Sequence, residues 1–93
     1  MTKPSKDDNA LAGYAKALGH PIRVQIMRRL EGLGTCQTGS LVESLPVAQS
    51  TVSEHLRILR EAGLVSGEVD GPRRCYCVNT KGLATARRLL QDL

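Results

Sequence analysis

The sequence contains no Phe and no Trp, and two tyrosines are its only aromatic residues. Its core must therefore be built from Leu, Val, Ile, Ala and Met, and 93 residues give a small one. A second subunit is expected, because burial against another copy would add apolar area to a thin core. No apolar run is long enough to span a bilayer. The opening MTKPSKDDNA has no hydrophobic signal core. Both absences point to a cytoplasmic address with no membrane partner. There is no Gly-rich phosphate loop, no catalytic carboxylate pair and no Cys-x-x-Cys at a helix start, so an enzyme is not expected. Charge of one sign does not dominate: 13 Lys and Arg against 9 Asp and Glu leave a net charge of +4. That balance permits nucleic-acid binding without demanding it. Three cysteines, Cys36, Cys75 and Cys77, leave at least one thiol over in a monomer. In a reducing cytoplasm a structural disulfide is the less favoured use of them.

What is present is a clear order of elements. Residues 1–9 are polar and read as a flexible N-terminal arm; residues 10–93 read as one domain. Leu11, Tyr14, Ala15 and Leu18 have the spacing of a one-faced helix. Pro21 suits the first turn of a second helix, whose stripe is Ile22, Ile26, Met27 and Leu30. A third helix is expected through Leu41, Val42 and Leu45, stopping before Pro46. A fourth runs from Gln49 to Ala62 with Val52, Leu56 and Leu59 inward and Gly63 as its stop. Its start is poorly capped, since Ala48 has no side-chain acceptor. The period then changes to strand on both sides of Asp70-Gly71, a strong hairpin signal. A mirror-symmetric hairpin about that turn pairs Glu68 with Arg73, Gly67 with Arg74 and Ser66 with Cys75. Thr80 to Leu93 returns to helix with Leu83, Ala86, Leu90 and Leu93 on one side. The fold class is mostly α with a small β-hairpin wing: four helices, a hairpin and a fifth helix, a winged helix-turn-helix. A short extra strand near residues 33–36 would run beside the second arm of the wing.

In such a fold the helix before the wing fits the major groove, while the wing reaches flanking backbone or minor groove. With the apolar stripe inward, Ser50, Ser53, Glu54 and Arg57 share the outer face and Thr51 lies at its edge. Short hydroxyls permit close approach to base edges and phosphates, and Arg57 can reach either a phosphate or a guanine. Glu54 is awkward near phosphate, but it could restrain Arg57. Arg73 and Arg74 beside the turn are candidates for backbone or minor-groove contacts. His55 borders the apolar stripe and reads first as a packed histidine. A winged-helix module that binds protein rather than DNA is the competing class; it would show no salt-dependent DNA binding.

Three stretches then stand out: AKALGHPIRVQIMRRLE, SLVESLPVAQSTVSEHLRILREAGLV and GEVDGPRRCYCVN. They resemble the ArsR/SmtB family of arsenic- and metal-sensing bacterial transcriptional repressors, and the Gln-Ser-Thr-Val-Ser-x-His-Leu run is the most specific part. The resemblance implies a homodimer on a palindromic double-stranded operator, released by an effector. It puts Ser50, Thr51, Ser53, His55 and Arg57 in the DNA-reading helix. It puts Leu11, Tyr14, Leu18, Leu83, Ala86, Leu90 and Leu93 in a dimer face.

The resemblance does not deliver the effector. Where several members carry Cys-x-Cys ahead of the reading helix, this chain has Cys36 and Thr38. Where others carry Asp and His in the last helix, it has Asp92 and no His. The residues themselves suggest another site. Cys75 and Cys77 alternate on one strand and so point to one face, about 7 Å apart. If the segment from Leu33 to Cys36 pairs beside them, Cys36 stands opposite Cys75 or Cys77. Three thiolates would then form a pyramidal cap for As(III) or Sb(III), since soft ligands favour soft ions. The same thiols could serve a redox switch or be small buried apolar groups. Zn(II) would need a fourth ligand that is not obviously supplied. No obligatory cofactor is expected.

Overall fold

The computed structural model describes residues 2–33, 36–38, 46–68 and 75–93. The first helix, α1 (Lys6–Leu18), starts earlier than its apolar spacing suggests. Ser5 caps it: its hydroxyl accepts from the Asp8 amide at 3.1 Å, and its own amide donates to the Asp8 carboxylate at 2.9 Å. This reciprocal box shortens the expected arm to the residues before Ser5, because it satisfies two of the amides a helix start leaves open. Helix α2 (Pro21–Leu33) opens on Pro21 as expected, and buries Ile26, Met27 and Leu30.

Strand β1 (Gln37–Thr38) lies one residue beyond the span expected for the extra strand. The helix expected through Leu41, Val42 and Leu45 lies outside the described residues. Helix α3 (Gln49–Glu61) follows, with no side-chain cap at Ala48. Val52, Leu56 and Leu59 are fully buried, each burial contributing about 1.5–3 kcal/mol. Gly63 takes φ +83, and the Leu64 amide donates back to the Leu59 carbonyl at 2.9 Å. That left-handed residue ends the helix and turns the chain directly into the wing.

Strands β2 (Val65–Glu68) and β3 (Cys75–Val78) form the hairpin, and β1 pairs on the far side of β3, giving the order β1-β3-β2, all antiparallel. The register differs from the symmetric expectation. Glu68 pairs with Cys75, Gly67 with Tyr76 and Ser66 with Cys77, two positions beyond the partners expected about Asp70-Gly71. The turn itself, with Arg73 and Arg74, lies outside the described residues. Gly67 has φ +106, and a Cβ there would collide with the Cys75 carbonyl, so the strand needs glycine at this point.

Tyr76 is fully buried and is the largest such side chain, so the core is not purely aliphatic. Helix α4 (Thr80–Gln91) is capped by Asn79, whose side chain accepts from the Gly82 amide at 3.1 Å. It packs Ala86 and Leu89 inward. No helix among the described residues is long and apolar enough to cross a membrane. The helices among the described residues, with a small antiparallel hairpin ahead of the last one, match the general winged helix-turn-helix architecture.

Candidate nucleic-acid interface

Helix α3 is a rod with a dry side and a wet side. Behind it lie Ile26, Leu30 and Tyr76 within the same core cluster as its own buried stripe. In front, Ser50, Thr51 and Glu54 are exposed, while Ser53 and Arg57 are half-buried. Arg57 is ion-paired with Glu54 one turn back. Glu54 therefore holds the guanidinium on the outer face, and an exposed pair of this kind is worth only about 0–1 kcal/mol, so exchanging it for a phosphate costs little. Ala48 at the N-cap supplies no side-chain acceptor to the first-turn amides of α3. Such amides, at the positive end of the helix, suit an anion.

His55 is packed, as its place at the border of the apolar stripe suggests, and so stands apart from the outer-face residues with which it is grouped as a DNA-contact candidate. It is only 8% exposed and points inward. The Arg23 Nε–H donates to its Nδ1 at 3.2 Å, and the His20 ring packs on it with centroids 4.4 Å apart, tilted by 50°. Its pKa is lowered from the ordinary value, first by burial, then by His20 and by the Arg23 charge, with Glu54 opposing. A neutral buried imidazole bonded to an arginine supports the helix from behind and does not present itself to a duplex. Neither Arg23 nor His20 carried any spacing signal in the sequence, because the contact with His55 spans 32 and 35 positions of chain.

The cysteines are brought together in part. Cys36 and Cys77 are joined as a disulfide, with Cα atoms 4.2 Å apart. The register places them there: Gln37 pairs with Tyr76, so the residue before Gln37 faces the residue after Tyr76. Cys75 instead lies opposite Thr38 and Glu68, exposed and unbonded. Among the described residues no group of three or more Cys, His, Asp or Glu is placed to hold a metal ion. The three sulfurs thus resolve into a pair and a neighbour, not a preformed cap. The Ser66 hydroxyl lies 3.6 Å from the Cys77 sulfur.

The dimer candidates also divide. Tyr14, Leu18 and Leu83 are half-buried against the core, and Leu11 is half-buried on α1. Ala86, 1% exposed, belongs to the protomer's own core and is removed from the outer face. Leu90 and Leu93 are 49% and 92% exposed. The inward stripe of α4 runs through Leu89, one position from the expected Leu90, which turns Leu90 outward.

A helix-borne polar face beside a hairpin wing, held on a core of aliphatic side chains and Tyr76, is the arrangement of a winged helix-turn-helix. Residues 20–66, half of the chain, match the family model described as bacterial regulatory protein, arsR family. The chain belongs to the ArsR/SmtB family, and the family is one of regulators and not of enzymes. It is 39% identical over 72 residues to the HTH-type transcriptional regulator Rv2034 of Mycobacterium tuberculosis, covering 77% of this chain and 66% of that protein. It is 41% identical over 68 residues to the HTH-type transcriptional repressor SmtB of the same species, covering 73% of this chain and 50% of that one. The chain thus spans about half to two thirds of these relatives' length. A crystal structure described as a possible transcriptional regulator for arsenical resistance superposes with a TM-score of 0.71 at 35% identity, over 83% of this chain and 79% of that one.

Proposed function

We propose that this chain is a homodimeric transcriptional repressor that binds a palindromic double-stranded operator and is released by a thiol-reactive effector. The observation that carries the DNA part is α3: Ser50, Thr51, Ser53 and Arg57 on the side away from a fully buried stripe. In this reading the helix expected over Leu41–Leu45 completes the helix-turn-helix, and Arg73 and Arg74 on the wing take phosphate or minor-groove contacts. Leu11, Tyr14, Leu18, Leu83, Leu90 and Leu93 form the two-fold face of the end helices. A cytoplasmic address goes with this function. Fluorescence anisotropy on a duplex enriched from a randomised pool tests it. Arg57→Ala is expected to weaken binding about tenfold or more, with affinity falling steeply with salt. A protein that stays monomeric and binds no duplex from the pool refutes it.

For the effector, reduced Cys36 and Cys77 form a dithiol whose spacing suits a thiophilic ion, and Cys75 is the next thiol on the same face of β3. As(III) or Sb(III) is the ion class that this donor set favours. The disulfide in the structure favours a second reading at the same place, a redox switch. Two thiols give two protons and two electrons to a hydroperoxide; its O–O bond breaks to yield water and an alcohol, and the S–S bond forms. Adding arsenite or peroxide to the complex, with each cysteine changed to serine in turn, separates the two. Release that is unaffected in all three variants excludes a thiol effector.

A further inference from the structure

Three side chains meet behind the reading helix, and each commits the others to one protonation state. Arg23, from the first turn of α2, reaches in two directions. Its Nη1 donates to the carbonyls of Lys16 and Ala17 in the last turn of α1, at 3.3 and 3.0 Å. Its Nε donates to His55 Nδ1 on α3. One planar guanidinium thus bridges the end of α1, the start of α2 and the inner side of α3. His20 packs its ring on His55, and its Nδ1 accepts from the Ile22 amide at 3.1 Å, capping α2.

A guanidinium and a backbone amide can only donate. Both imidazoles must therefore carry a lone pair at Nδ1, with the proton on Nε2. A proton on His55 Nδ1 turns the acceptor into a donor and sets a second positive charge against Arg23. A proton on His20 Nδ1 removes the α2 cap and charges the ring stacked on His55. Among the described residues, the charged and titratable groups acting on His55 are Arg23 from α2, His20 from the link before it and Glu54 from its own helix, and two α1 carbonyls hold Arg23 in place. Glu54 favours the protonated form, but it is tied to Arg57 on the outer side. Burial, His20 and Arg23 all disfavour it.

We propose that Arg23 is a positioning residue for the reading helix, and that the His20–Arg23–His55 cluster makes DNA binding proton-sensitive. Binding is full when both imidazoles are neutral, and it weakens when either is protonated. This rests on the DNA-reading role of α3. The cluster lies on the inner side of α3 and ties it to the α1–α2 corner through Arg23.

The test measures affinity for the pool-enriched duplex from about pH 7.5 to about pH 5.5 at fixed ionic strength, across the range where histidine titrates. Wild-type affinity is expected to fall about tenfold, while a His20→Asn, His55→Gln double variant falls less than about threefold. Asn can still cap α2, and Gln can still accept from Arg23, but neither titrates. A flat wild-type profile, or an equal fall in the double variant, overturns the proton sensitivity. At the upper pH, Arg23→Gln is expected to weaken binding about tenfold with its cooperative melt retained, and Arg23→Lys to restore part of the loss. Wild-type affinity in Arg23→Gln overturns the positioning role. If the wild-type protein binds no duplex at all, the DNA reading has failed, and the cluster is judged by imidazole proton NMR. Arg23→Gln must then raise the pH at which His55 titrates; an unchanged titration overturns the coupling.

Discussion

Reducing the Cys36–Cys77 bond should cost this small domain a large part of its stability. The two cysteines are 41 positions apart. Closing a loop of that length removes chain entropy from the unfolded state worth about 4 kcal/mol at 25 °C. A domain of this size has roughly 5–15 kcal/mol in total. Each kcal/mol moves the melting temperature by about 4–8 °C for chains of 60–100 residues, so the shift should be about 15–30 °C. Circular dichroism melts of oxidised and reduced protein, with the redox state read by intact mass, measure it directly. Cys75→Ser is the right background, because Cys75 is exposed and unbonded and could scramble the pair. A Cys36→Ser, Cys77→Ser variant in that background should melt at one temperature with and without reductant. A shift below about 5 °C in the mass-verified pair would refute the argument, since the loop-closure relation leaves no room for so small an effect. A large shift also means that an oxidant changes the protein's stability at the site proposed for the effector.

Stability should fall as the solution is acidified, through His55. Its pKa is lowered in the fold, so the native state holds fewer protons than the unfolded chain. The contribution is complete above the ordinary value of about 6.5 and is lost as pH falls through the lower native value; pH-dependent melts of wild type against His55→Gln check the sign. Gly67→Ala should cost about 1–3 kcal/mol, from the positive φ and the collision with the Cys75 carbonyl, and urea unfolding reads it. Ala48→Asp should stabilise α3 by about 1 kcal/mol, as a missing cap is supplied. The same change should weaken DNA binding, because a carboxylate then occupies the anion-favouring helix start; tighter binding would argue against phosphate contacts there.

Periodicity made α2 and α3 legible, since each has a buried stripe, and the change of period after Gly63 located the wing strands. The α1 start was missed because the box uses Asp8 after Ser5, ahead of the first apolar residue, where nothing repeats. The hairpin register escaped for a physical reason. A slip of two leaves every side chain on its original face, so alternation cannot detect it; only a slip of one reverses the faces. Tyr76 in the core follows from that same alternation, once Cys75 and Cys77 are placed outward. On α4 the choice between Leu89 and Leu90 was open in the sequence, since both fit a helical stripe, and packing chose Leu89. Of the candidate site, the hydroxyls and Arg57 were readable because they share one helix. The cross-strand neighbour of Cys36 was narrowed to Cys75 or Cys77, while a disulfide was the less favoured use of these residues. The Arg23–His55 contact was invisible, as it joins separate helices through single atoms.

The three residues between α3 and β2 form a stiff elbow. Gly63 fixes the bend, Leu64 is wholly enclosed, and the amide of Leu64 is clamped to Leu59. In the proposed operator complex, this elbow would set the angle at which α3 and the base of the wing meet the duplex, and their spacing would then be a property of the polypeptide.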